Sequence, residues 1–231
     1  MPGGFRNQPK VLRGAFVEYG LSVPPLIVLF QFNPLQLSRR RSQSFSVPAS
    51  AQEPGEGLTL RDFYQGFEDL MTLRNKQQVT VQLESLSFEI RLDATDKLNE
   101  GDPITEQFGI APQLSTLELM MLPKSESIFG ALLDALLPGG FSFTCTEKPP
   151  MILFIWGRKR VLPVNINSMS ITETEFHSSL EPIRATVEVD LTVIEGPNPA
   201  YMYTKSLTEV MSGLGLANLR ATEIMDIVIP R

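Results

Sequence analysis

Residues 78–93 read QVTVQLESLSFEIRLD, and the period of this stretch decides the fold. Val79, Val81 and Leu83 alternate with polar side chains, and Leu86, Phe88, Ile90 and Leu92 alternate again, the pattern of strands with one buried face. Between Leu83 and Leu86 the parity changes. One inserted residue near Ser85 throws every later side chain onto the opposite face, so the chain either carries a β-bulge there or bends from one sheet into another. A second alternating strand follows later, with Ala185, Val187, Val189, Leu191 and Val193 against Thr186, Glu188, Asp190 and Thr192. Between them, residues 151–156 form a nearly continuous apolar run that stops at Gly157, and residues 161–176 are rich in Val, Ile, Ser, Thr and Asn.

The remaining elements are arranged around these strands. Residues 12–19 and 26–32 are short runs of Val, Ile and Phe bounded by Gly20, Pro24-Pro25 and Asn33-Pro34, which predicts a hairpin. Residues 39–57, RRRSQSFSVPASAQEPGEG, hold only two bulky apolar groups and are expected to form a long flexible loop. Spacings of three and four among Leu60, Phe63, Phe67, Leu70 and Met71, with Thr59 as N-cap, predict an amphipathic helix over residues 60–74 whose stripe joins the core. Residues 94–112 read as a polar excursion from the sheet, and residues 113–137 as a helical insertion broken at Pro123. Tyr203, Leu207 and Val210 share one stripe of a short helix or ordered tail element in residues 197–231. The expected class is mainly β with one or two helices (α+β), a β-barrel or sandwich over residues 1–196 packed on a helix.

Composition excludes much chemistry. The 231 residues carry 20 basic and 26 acidic side chains, a net charge of -6, which disfavours nucleic acid as a partner. That charge is uneven: residues 1–50 hold six basic groups against Glu18 alone, whereas the remainder is strongly acidic. Such an asymmetry points to association with another chain or another copy. No stretch approaches the roughly 20 apolar residues of a membrane span, and no signal-peptide pattern opens the chain, so the cytoplasm is the expected site of synthesis.

One histidine and one cysteine leave little for catalysis or metal binding. His177 lies in TETEFHSSLEP with no nucleophile elbow in the chain, and Cys145, in FSFTCTEK, has no partner motif and reads as a small buried hydrophobe. Gly213-Leu214-Gly215 lacks the third glycine of a dinucleotide fingerprint, and no phosphate-cradling loop is present. No enzymatic activity and no cofactor are expected.

Four phrases occur in a telling order: LIVLFQFNP (26–34), SFEIRLDATD (87–96), PPMILFIWG (149–157) and SMSITETEFHSSLEPIRATVEVDLTVIE (168–195). Together they resemble the tube-protein-like family of contractile injection systems, the phage-tail-like particles of bacteria, and most closely its baseplate adaptors, which join the inner tube to the spike. The positions that carry the resemblance are Phe32, Asn33, Pro34, Asp93, Trp156, Gly157, Phe176, Arg184 and Ala185. It implies a tube-like β-barrel subunit that assembles as a hexameric ring, with joined sheets lining a channel, partnered by inner tube protein, spike or hub protein and other baseplate subunits, in a particle assembled in the cytoplasm. The chain departs from the family pattern in two places. No LysM module is apparent in the 35 residues after Gly196, and Leu180-Glu181 stands where the family has a glycine turn. A tube subunit and a small-molecule-binding barrel are the alternatives. Arg39, Arg40 and Arg41 form the basic patch expected at an interface between copies.

Overall fold

The computed structural model describes residues 12–20, 25–48, 58–123 and 148–218. These form a mainly β chain of the α+β class, built on an antiparallel sheet with six helices among the described residues. The strands are β1 (Ala15–Glu18), β2 (Ile27–Leu29), β3 (Leu37–Arg40), β4 (Gln43–Ser46), β5 (Gln78–Val81), β6 (Ser85–Asp93), β7 (Ile152–Trp156), β8 (Arg160–Phe176) and β9 (Pro182–Val193). Seven of them make one sheet in the order β2-β1-β7-β8-β9-β6-β3, while β4 and β5 pair only with each other.

The parity change at Ser85 is the place where the chain passes between these two sheets. β5 ends at Val81 in the two-stranded ribbon, and β6 begins at Ser85 in the main sheet, paired along its whole length with β9 from Ser85↔Thr192 to Asp93↔Arg184. The expected hairpin forms as β1 and β2, with Phe16 opposite Val28. Of the stretch expected as a flexible loop, residues 39–40 and 43–46 lie in strands instead: Arg39 and Arg40 lie in β3 against Leu86 and Ser85, and Phe45 in β4 lies against Val79. Pairing partners more than 30 residues away supply the backbone hydrogen bonds that local composition does not reveal. Residues 49–57 of that stretch, residues 124–137 of the predicted helical insertion and Cys145 lie outside the described residues.

The main sheet coils around its core. Three strand spacings separate β7 from β6, about 14 Å in a flat sheet, yet the ring centroids of Phe154 on β7 and Phe88 on β6 are 5.2 Å apart. Phe16 and Phe30 join them, Phe16 lying 6.0 Å from Phe88 and meeting Phe30 edge-on at 5.2 Å. Where β2 and β6 approach, the side-chain amide of Gln31 imitates a strand: its Nε2 donates to Asp93 O at 2.7 Å, and its Oε1 accepts from Asp93 N–H at 2.9 Å.

Short helices interrupt the excursion after β6: α3 (Thr95–Asn99), α4 (Pro103–Phe108) and α5 (Ala111–Leu119). α5 lays Leu114 and Leu117 into the same core as Ile110 and Met120. Gly109 ends α4 at φ 55, in the left-handed region, where a Cβ would stand 2.1 Å from Pro182 O. Glycine is what lets Ile110 N–H reach that same carbonyl at 2.9 Å and bring α5 onto the sheet.

The helix predicted over residues 60–74 is two helices, α1 (Leu60–Gln65) and α2 (Leu70–Lys76). Thr59 caps the first as expected, accepting from Asp62 N–H, and Asp69 restarts the second by accepting from Met71 and Thr72 N–H. The break rotates the stripe off the core: Phe63 is buried against Phe67, but Leu70 is 77% and Met71 62% exposed.

The tail element is a single long helix, α6 (Pro199–Asn218). It docks through Thr204, whose hydroxyl accepts from Val161 N–H at 2.9 Å and donates to Val161 O at 2.7 Å. Tyr201 packs against the core from the same side. Of the stripe Tyr203, Leu207 and Val210, Leu207 is half-buried, while Tyr203 and Val210 are exposed.

Candidate functional site

The outward face of the coiled sheet is polar over four strands. Ser38 of β3, Ser87 of β6, Asp190 of β9 and Ser168 of β8 stand in one row across the sheet; Glu89, Glu188 and Ser170 form the next, then Arg91, Thr186 and Thr172, then Asp93, Arg184 and Thr174. The inward face is its complement, with Ile90, Leu92, Ala185, Val187 and Leu191 fully buried. Alternation along the strand separates a dry face from a wet one.

Polar neighbours on this surface are paired with each other. Ser168 Oγ donates to Asp190 Oδ2 at 2.8 Å, Asn167 Nδ2 to Thr192 Oγ1 at 2.7 Å, and Arg91 Nε meets Glu89 Oε1 at 2.7 Å. Arg184 holds Asp93 at 2.9 Å and Glu175 at 2.5 Å. Residues 32–36 run alongside, and a groove of ≈ 710 Å³ separates them from Ser87, Glu89, Arg91, Glu188 and Asp190.

Both sides of this four-stranded region offer uncovered backbone. β7 pairs with β8 only over residues 160–164, so beyond that point no described strand covers the side of β8 that faces away from β9. The direction of each amide follows from two bonds: Val193 N–H reaches Glu84 O, and Ala94 N–H reaches Ile183 O. Odd-numbered residues of β9 therefore turn their backbone groups to β6, and even-numbered ones to β8. The register Thr172↔Thr186 then turns the backbone groups of Met169, Ile171 and Glu173 outward. At the other side, β3 covers β6 only from Ser85 to Phe88, and the outer edge of β3 pairs with no described strand.

The basic patch is divided by strand alternation. Arg39 and Arg41 point together toward Glu84, which is 1% exposed: Arg39 Nη2 lies 2.5 Å from Oε1, and Arg41 Nη2 2.6 Å from Oε2. Glu195 stands 3.6 Å from Arg41 and accepts from Glu84 N–H at 3.3 Å. The Glu84 carboxylate pushes the Arg41 guanidinium further up against the opposing effect of burial. Burial, with Arg39 nearby, lowers Arg160 at the edge of the same cluster. Arg40, between them in sequence, lies on the other side of the strand, opposite Ser85. Glu84 escaped sequence reading because a glutamate at a strand break looks solvated; its only signal was its place inside the parity change.

The positions that carry the resemblance have identifiable structural work. Asn33 Oδ1 accepts from Gly14 N–H at 3.0 Å and Asn33 Nδ2 donates to Leu12 O at 2.8 Å, tying the chain after β2 to the start of β1. Phe32 and Pro34 line the groove. Trp156 stacks on Phe154 at 5.9 Å, Gly157 turns the chain into β8 at φ 65, and Ala185 is fully buried beside Leu92. Phe176, 51% exposed, ends β8. His177 lies in the turn that follows, its Nδ1 within 3.2 Å of Ser179 Oγ.

Asp93 gives this surface a pH dependence. Burial acts to raise its carboxyl, but hydrogen bonds from Thr95 and the Arg184 guanidinium hold it below the ordinary carboxylate range. A depressed folded-state value means that Asp93 contributes stability above its unfolded value of about 3.9, and that this contribution disappears as pH falls through the folded value. Arg184→Ala is expected to move the Asp93 titration upward by carboxyl NMR and to raise the pH at which the acid transition begins; unchanged titration would remove Arg184 from the account.

No protein-family model matches the chain, and no curated protein is significantly similar to it.

Proposed function

We propose that this chain is a non-enzymatic structural subunit of a phage-tail-like contractile injection system, forming a hexameric adaptor ring between inner tube and spike. The observation that carries the reading is the polar-faced, apolar-backed sheet of β8, β9, β6 and β3, with backbone on both of its sides that no described strand covers. A long uncovered strand edge is an aggregation hazard in a lone subunit and becomes an asset when copies pair side by side. Six such sheets joined edge to edge give a continuous wall whose polar rows face a wet channel, each coiled sheet acting as the barrel of one tube-like subunit. Its partners are further copies of itself, tube protein, spike or hub protein and the rest of the baseplate. A ligand-holding barrel is the weaker reading, because Phe16, Phe30, Phe88 and Phe154 fill the space inside the coil.

Glu173→Pro tests the proposal. Glu173 is exposed and its N–H points away from β9, where proline removes no hydrogen bond among the described residues. The variant is expected to stay folded, with a melting temperature within a few degrees of the parent's, and to form no rings by electron microscopy or native mass spectrometry. Rings that assemble normally from it would overturn edge pairing through β8. Copy number in the purified particle then separates an adaptor, confined to one ring, from a tube subunit repeated along the particle.

A further inference from the structure

The β4–β5 ribbon is an arm: among the described residues its two strands pair only with each other, and the chain enters and leaves it at residues 41–42 and 82–84. Phe45, Val79 and Val81 on it, and Leu83 beside it, are 41–57% exposed, so packing within the described chain does little to fix its direction. An isolated two-stranded ribbon is marginally stable by itself. Glu84 and Arg41 sit at the two crossings, Glu84 with its carboxylate buried and taken on one oxygen by Arg39 and on the other by Arg41. Arg41 also lies 3.6 Å from Glu195, which follows β9. The backbone of Glu84 is held as well, its C=O accepting from Val193 N–H at 2.8 Å and its N–H donating to Glu195.

We infer that the Glu84 cluster is a latch that fixes the angle of the β4–β5 arm to the main sheet at the end of β9. A pair of chain crossings alone permits bending and twisting, since each has only a few rotatable residues to restrain. Hydrogen bonds to both carboxylate oxygens from opposite crossings are directional, and they remove that freedom. Because the Arg41 guanidinium joins the arm's crossing to the segment after β9, a shift at one is felt at the other. The inference concerns the single chain and holds whether or not copies form rings.

Spin labels at Ser44→Cys on the arm and Ser170→Cys on β8, in a Cys145→Ser background and diluted with unlabelled chain, read the arm's angle as a distance distribution. The parent is expected to give one narrow distance. Glu84→Gln keeps the shape of the side chain but lessens its hold on the two guanidiniums, and is expected to widen the distribution at least twofold. Should that variant fail to fold, Arg41→Met, which leaves Arg39 on Glu84, is read in its place with the same expectation. An unchanged width in the folded variant, or equal widening in the control Arg40→Ala, overturns the latch.

Discussion

Replacing Arg39 and Arg41 together by alanine is expected to lower the stability of the folded chain by about 3–5 kcal/mol, the cost typical of stranding a buried charge by removing its partners. The size follows from the asymmetry of the cluster. Arg39 and Arg41 are 44% and 53% exposed and lose little solvation in the pair, whereas Glu84 is 1% exposed and depends on them. Removing the exposed partners leaves the buried one without compensation. For a chain of this length a loss of that size lowers the melting temperature by about 6–20 °C, measurable by calorimetry. Arg40→Ala, one residue away on the other side of the strand, is expected to stay within about 0.5 kcal/mol of the parent. A double variant as stable as the parent would show that water reaches Glu84 readily. Reversing all three charges, which looks like a test of assembly, therefore disturbs folding first.

Phe154→Ala is expected to cost about 3–5 kcal/mol, the range for truncating a buried aromatic ring. Phe154 is fully buried and its ring lies within 6.4 Å of Phe16, Phe30, Phe88 and Trp156, which come from strands on both sides of the coil. The cavity cannot collapse easily, because its walls are held by ladder hydrogen bonds rather than by loops. The measurement is chemical denaturation with the midpoint and slope both followed. A cost near 1 kcal/mol would mean that the coil tightens around the smaller side chain, and that the aromatic cluster does not set the curvature of the sheet.

Much of the fold was legible because burial on one face imposes a period of two. Leu86 to Leu92 and Ala185 to Val193 show that period, and the structure pairs these strands in register with the apolar side chains inward. The run at residues 151–156 and the hairpin before Asn33 were legible for related reasons: β-branched and aromatic content bounded by turn residues. Residues 39–40 and 43–46 were not, since Ser, Gln and Arg carry no strand signal and take their conformation from Leu86 and Val79 across the sheet. The single helix expected over residues 60–74 failed at Asp69, where a side chain that caps a new helix outcompetes continuation of the old one. The candidate surface was half legible. Alternation announced a polar face on β9 and β6, but the rows that align Ser38, Ser87, Asp190 and Ser168 need register, which is a relation between strands.

The sequence by itself determined an acidic, β-rich chain with two long strands of one buried face each, a break of parity at Ser85 and little material for catalysis. Those properties are local: each depends on neighbours along the chain and on the average cost of exposing apolar groups. Tertiary structure alone decided that the parity break is a crossing between two sheets, that the basic patch closes on Glu84 while Arg40 is left outside, and that β8 outruns β7 with no described strand along its further edge. The physical reason is the same in all three cases. Charge pairing, sheet curvature and strand coverage depend on distances between residues remote in sequence, and the pattern of a single segment does not encode them.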